Sequence, residues 1–223
     1  MSGAIAIFAK TPGLTPVKTR LAAGIGQPAA DEFYDLCLNA VERTVQDCLA
    51  DRSEWVARWA VAEKAGVADP RWTALGARHT GEGDLGRRLW RIYEGLRFVH
   101  GRVLLIGTDS PQITPAMLAQ AAELLLETDF VLGPARDGGF WLFGGRRAMP
   151  KAVWKTPVYG GPDVTRDLTA AMTDAGLPAP QILDMLSDVD EQENLYYMVQ
   201  EMPVDMSDAQ RALCDWVNGL ARG

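Results

Sequence analysis

The chain has 223 residues, 48% of them hydrophobic, enough to bury one sizeable core, so a single domain over 1–223 is expected. A formal net charge of -7 excludes a general nucleic-acid binder or a protein held by charge to an anionic membrane, and leaves any polyanionic ligand to be met by local cations. Cys37, Cys48 and Cys214 lack metal-site spacing and suit reduced thiols in a cytoplasm, while "GAIAIFA" near the N-terminus is too short to span a bilayer and lacks a basic stretch and cleavage site, so neither leader nor membrane span is expected.

The first apolar run, at 4–9, predicts a strand. It leads into "KTPGLTPVKTR", a Gly- and Pro-rich loop carrying Lys10, Lys18 and Arg20, cations that a core does not want. Free backbone N–H groups with Lys18 and Arg20 can clamp a di- or triphosphate. The spacing is neither a Walker A nor a dinucleotide fingerprint, and a solvated loop with incidental cations fits equally well. A helical period over 29–50 precedes a second strand at 54–62. In "GEGDLGRRL", Asp84 caps a helix over 84–99, and Gly83 and Gly86 either lay backbone against a nucleobase or serve the cap alone.

A strand at 102–107 delivers Asp109 to its carboxyl end, before Ser110-Pro111 turns the chain into a helix over 114–128 with Thr114 as cap and Pro115 in its first turn. Asp109 can ligate Mg²⁺ or Mn²⁺ or close an Asx-turn; the metal is favoured because Ser110 alone can close the turn. Strands at 129–135 and 140–145 enclose Asp137-Gly138-Gly139, read either as a hairpin turn or as glycines that admit a ligand while Asp137 accepts from sugar hydroxyls. Trp141 and Trp154 flank this crevice and offer rings for stacking. A helix follows at 163–175. In "LSDVDEQENL", Asp188 and Asp190 share one side of an extended segment and can face one cation, while Asp190 with Glu193 reads as a capping box opening a helix over 190–201. A last helix is expected over 207–221, and His79 and His100 join no constellation.

Buried strands alternating with amphipathic helices predict a doubly wound, mostly parallel sheet with ligands at the carboxyl ends of its strands. In order and spacing, "FAKTPGLTPVKTRL", "GDLGRRL", "GTDSPQIT", "GPARDGGFWLFG" and "DVDEQENL" resemble a bacterial family of GT-A-like proteins. That family was long a domain of unknown function and is often labelled arsenosugar-biosynthesis-type glycosyltransferase; molybdenum-cofactor and 2-phospholactate nucleotidyltransferases are similar more distantly. The resemblance implies a three-layer Rossmann-like α/β fold of the nucleotide-diphospho-sugar transferase (GT-A) type. It implies Lys10, Lys18, Arg20, Gly83 and Gly86 on the nucleotide, Asp137, Gly138, Gly139 and Trp154 on the substrate side, and Asp109, Asp188 and Asp190 on Mg²⁺ or Mn²⁺, with Lys18 and Asp109 as catalytic candidates. The chain departs from the pattern at Thr15-Pro16, Thr80 and Glu191. The implied activity is glycosyl transfer from a nucleotide sugar to a small-molecule acceptor. Nucleotidyl transfer from a nucleoside triphosphate is the alternative, and a non-catalytic nucleotide binder the second. No nucleic-acid or membrane partner is expected.

Overall fold

In the computed structural model, which describes residues 2–220, the apolar runs become the strands β1 (Gly3–Ala9), β2 (Trp55–Val61), β3 (Ala77–His79), β4 (Arg102–Ile106), β5 (Phe130–Pro134), β6 (Phe140–Gly145) and β7 (Gln181–Ile182). They form one 7-stranded sheet in the order β3-β2-β1-β4-β6-β5-β7. Pairing is parallel except along β6, which runs antiparallel to both β4 and β5. The reversal follows from the Asp137-Gly138 hairpin, too short a connection to return a strand parallel. β3 and β7 were not foreseen, because three-residue and two-residue strands at the sheet's edges carry no apolar run.

Side chains along β1 alternate between two cores, as the two-residue period of a strand requires. Ile5 and Ile7 pack on one face with Tyr34, Leu38, Val41 and Val45 of α2 (Gln27–Ala50) and with Leu118 and Leu125 of α4 (Pro115–Glu127). Ala4 and Ala6 pack on the other with Ile92 and Tyr93 of α3 (Leu85–His100), Trp154 of a short helix at Lys151–Lys155, and Leu168 and Met172 of a helix at Val164–Asp174. This is the expected three-layer arrangement. A third cluster lies at the end of α2, where Phe33 and Cys37 meet Leu21 of α1 (Thr19–Ile25), Leu195 of a helix at Asn194–Gln200, and Leu213 of a helix at Asp208–Leu220. In chain order the four unlabelled helices are α5, α6, α7 and α8. Residue 221, placed in the last helix by sequence, lies outside the described residues.

Two boundaries differ from expectation with clear causes. Arg20 belongs to α1 rather than to a loop, since the chain turns helical directly after Lys18. The helix expected from residue 190 starts at Asn194, whose side-chain Oδ1 accepts from the backbone N–H groups of Asp190 (3.1 Å) and Glu191 (2.7 Å). That bond replaces the anticipated Asp190 capping box and leaves the Asp190 carboxylate for other partners. No helix among the described residues is long and apolar enough to cross a membrane.

Candidate functional site

The carboxyl ends of β1, β2 and β4 open onto a crevice of about 490 Å³, a volume typical of small-molecule sites. β1 supplies Lys10, whose backbone is held by Tyr34: its N–H donates to the phenol oxygen (3.0 Å) and its carbonyl accepts from the hydroxyl (3.3 Å). Burial pushes the Tyr34 hydroxyl up to about 12, so it stays a neutral brace.

Lys18 sits at the N-cap of α1 with φ 48 and ψ 41, a left-handed conformation that bulky residues rarely hold. The conformation drives its side chain inward, where it is 4% exposed. The ammonium donates to Asp109 Oδ1 and to the Val189 carbonyl (2.5 Å), and stands 3.8 Å from Asp190 Oδ1. Burial pulls its pKa down, but the charge and hydrogen bond of Asp109, with Cys37 and Asp190, together outweigh that and lift it to about 12. Lys18 is thus a fixed positive charge. Arg20, on the rim, reaches Asp190 Oδ2 at 3.3 Å.

Three further carboxylates converge here. Asp137 comes from the β5–β6 hairpin, while Asp188 and Asp190 lie on a segment laid beside β5 by the Ala135–Leu186 bridge and fastened to the β4 loop by Val189 N–H on Asp109 O (2.9 Å). Asp137, Asp188 and Asp190 each offer one oxygen, all within 4.8 Å of one another. Burial raises the Asp188 carboxyl to about 6, with the charges of Asp137, Asp190 and Asp109 adding to it. Asp190 is raised by burial too, against the pull of Lys18 and Arg20. An oxygen-only donor set, crowded by like charge, fits a hard divalent ion such as Mg²⁺ or Mn²⁺. The grouping differs from the sequence expectation: Asp137 joins Asp188 and Asp190, while Asp109 engages Lys18.

The glycines divide by cause. Gly139 lines the crevice and donates its N–H to Asp137 Oδ1 (2.6 Å). Gly138 has φ +91, and a Cβ there would meet the Pro162 carbonyl oxygen at 1.8 Å, so its glycine serves backbone approach rather than a ligand. Gly86 likewise lets α3 approach α5, since a Cβ would lie 2.3 Å from the Trp154 carbonyl oxygen. Gly83, φ +112, is a turn ahead of the Asp84 cap, whose Oδ1 accepts from Arg87 N–H (2.8 Å). Trp154 is a correction. At 0% exposure it packs on Phe143 and Tyr93, ring centroids 4.8 and 5.4 Å away, because its short helix turns the indole under the sheet instead of toward the crevice. The rings that do line the crevice are Phe8, Tyr34, Phe140, Trp141 and Tyr159. Of these, Trp141 was expected from its place beside the Asp137 hairpin, while nothing in the sequence set Phe8, Tyr34, Phe140 and Tyr159 apart from other aromatics. Thr80 is another unforeseen lining residue: it is buried, and its hydroxyl oxygen has no hydrogen-bond partner.

Comparisons with known proteins add to this geometry. A family described as an uncharacterized protein conserved in bacteria (DUF2064) matches residues 44–160, a stretch that includes Asp109 and Asp137. The chain is similar to a crystal structure from Desulfovibrio desulfuricans G20, provisionally assigned as a nucleotide-diphospho-sugar transferase, at 25% identity and TM-score 0.83, covering 100% of this chain and 98% of that one. It is similar in fold to 4-diphosphocytidyl-2C-methyl-D-erythritol synthase from Anaerococcus prevotii DSM 20548 (10% identity, TM-score 0.58, 89% and 97% covered). A cytidylyltransferase from Leptospira borgpetersenii serovar Hardjo-bovis is similar too (12%, 0.51, 100% and 94% covered). No curated protein matches the chain. The fold is the nucleotide-diphospho-sugar transferase fold, as expected.

Proposed function

The chain belongs to the DUF2064 family, and from that membership and the geometry of its crevice we propose a metal-dependent transferase acting on a nucleotide-activated substrate, by glycosyl transfer from a nucleotide sugar to a small acceptor. The observation that carries this reading is the Asp137, Asp188 and Asp190 triad set beside the buried, permanently charged Lys18. Their side-by-side placement lets one end of the crevice hold a divalent ion and a diphosphate together. The likeness to the Desulfovibrio protein supports glycosyl over other transfers.

In this reading Asp137, Asp188 and Asp190 would hold the ion, which supplies charge neutralisation to the departing diphosphate. Lys18 contributes a second, fixed positive charge and needs no proton exchange to do so. Asp109 fixes the direction of its ammonium. Arg20 and Lys10 extend positive charge along the rim. The nucleoside would run toward Thr80, which follows β3 and so lies three strand spacings, about 14 Å, from the end of β4. The wall of Phe140, Trp141 and Tyr159 is left for the sugar and acceptor. Nucleotidyl transfer from a triphosphate is the second reading, favoured by the four cations Lys10, Lys18, Arg20 and Arg88 on the same crevice, enough to meet a leaving pyrophosphate.

A panel of nucleotide sugars and nucleoside triphosphates, screened with Mg²⁺ or Mn²⁺ for thermal stabilisation and then for turnover, tests the proposal. Metal-dependent release of a nucleoside diphosphate is expected; pyrophosphate release would select nucleotidyl transfer. Tight binding without turnover for any acceptor would leave a nucleotide-binding protein.

A further inference from the structure

The carboxylates of the site come from three distant parts of the chain and repel one another, so something must hold their segments together. Glu201, which ends α7 and is 18% exposed, contacts all three segments. Its Oε2 accepts from the Ser187 backbone N–H (2.7 Å) and from Gln112 Nε2 (3.0 Å). Its Oε1 accepts from the Ser187 hydroxyl (2.8 Å) and from Arg136 Nε (3.1 Å). Ser187 precedes Asp188, Arg136 precedes Asp137, and Gln112 lies in the turn that begins at Asp109. Gln112 is itself fully buried and also donates to the Ser187 carbonyl (2.5 Å).

We propose that Glu201 is the positioning residue of the acidic site, a single carboxylate that ties the segments of Asp109, Asp137 and Asp188 into ion-binding register. The role rests on the reading that the Asp137, Asp188 and Asp190 triad takes a divalent ion. Burial opposes ionisation of Glu201, but the donors from Ser187, Gln112 and Arg136 outweigh it and hold its carboxyl below the usual range, so it remains a full acceptor. It does not touch the ion. An outer partner that orients ligating groups commonly accounts for 10- to 100-fold in metal affinity, roughly the effect expected here.

The experiment measures Mn²⁺ affinity from the electron paramagnetic resonance of free Mn²⁺, together with melting temperature under chelator, on the full chain. Glu201→Gln should weaken Mn²⁺ binding about 10- to 100-fold, since an amide exchanges one acceptor for a donor facing other donors. Arg136→Ala removes one of the four donors and should weaken it as well, by less. Charge alone predicts opposite signs, because losing Arg136 deletes a cation near the site and would tighten Mn²⁺. Glu94→Gln is the structural control: Glu94 accepts from Met149 N–H (2.9 Å) and from Arg97 on the other face of the sheet, and its variant should lower the melting temperature with Mn²⁺ affinity unchanged. Normal Mn²⁺ affinity in Glu201→Gln, or tighter binding in Arg136→Ala, would overturn the role while leaving the metal reading intact. Failure of the unaltered protein to bind Mn²⁺ would overturn both. If Glu201→Gln does not fold, Arg136→Ala alone decides by its sign.

Discussion

Lys18 shows how far one backbone angle can move a residue from its sequence expectation. On the solvated loop that Gly, Pro and cations suggest, its loss would alter stability by roughly 0 to 1 kcal/mol. In the fold its left-handed φ buries the ammonium between Asp109 and the Val189 carbonyl. Lys18→Ala should therefore cost on the order of 2 kcal/mol in urea unfolding, as for lost hydrogen bonds to a charged group, whereas Arg20→Ala should stay within the surface range. Equal effects from both would mean that Lys18 is not buried in solution. Asp188 makes a second prediction through pH. Its carboxyl, near 3.8 ordinarily and raised to about 6 here by burial and by Asp137, binds a proton more tightly folded than unfolded. In metal-free protein it contributes stability that is complete below 3.8 and lost as pH rises through about 6. A divalent ion binds only the ionised carboxylate and offsets that loss. The melting-temperature gain from Mg²⁺ over chelator should thus grow from pH 5 to pH 7 and level off above; a gain independent of pH would exclude Asp188 as a ligand.

At the level of elements, legibility followed burial and length. β1 and β4 are continuous apolar runs buried along nearly their whole length and could be read directly; β3 and β7 are edge strands whose pairing is decided by neighbours far along the chain. Asp109 and Asp137 were legible because one follows a strand and the other fills a hairpin, places where a doubly wound sheet presents ligands, and Asp188 and Asp190 because their two-residue spacing puts them on one side of an extended segment. That Asp137 rather than Asp109 joins that pair was not, since it depends on the bend that lays residue 186 beside β5, and Glu201 was invisible as one more glutamate at the end of a helix. The hairpin itself carries a prediction. At Gly138 the left-handed φ alone would cost about 1–3 kcal/mol for a side chain, and the Pro162 carbonyl blocks the space a Cβ needs. Gly138→Ala should lower the urea midpoint clearly, while Gly160→Ala, also at positive φ but with nothing within 4 Å of its Cβ, should cost only the backbone penalty. Similar losses at both positions would show that the Pro162 contact adds nothing.

For the whole molecule the governing quantity is charge: a net -7 protein whose crevice gathers four carboxylates is proposed to take a substrate that is itself an anion. Four cations line the same crevice, but the two beside the triad are already paired. Lys18 is already engaged by Asp109, and Arg20 by Asp190. Nucleotide and divalent ion should therefore bind as a unit, with the ion changing the sign of the local field. The salt dependence then separates two regimes. Under chelator, the nucleotide giving the largest stabilisation in the panel should bind at least tenfold more weakly, and added salt should leave that weak binding unchanged or slightly improve it, because screening shortens the reach of the repulsion to about 10 Å at 0.1 M. With saturating Mg²⁺ the net local attraction should be what salt screens, and affinity should fall as salt rises. Titration calorimetry at two salt concentrations, with and without Mg²⁺, reads both slopes. Nucleotide affinity that is equal with and without the ion, and falls with salt in both cases, would mean that Lys10, Lys18 and Arg20 alone hold the phosphates and that the acidic triad has another task.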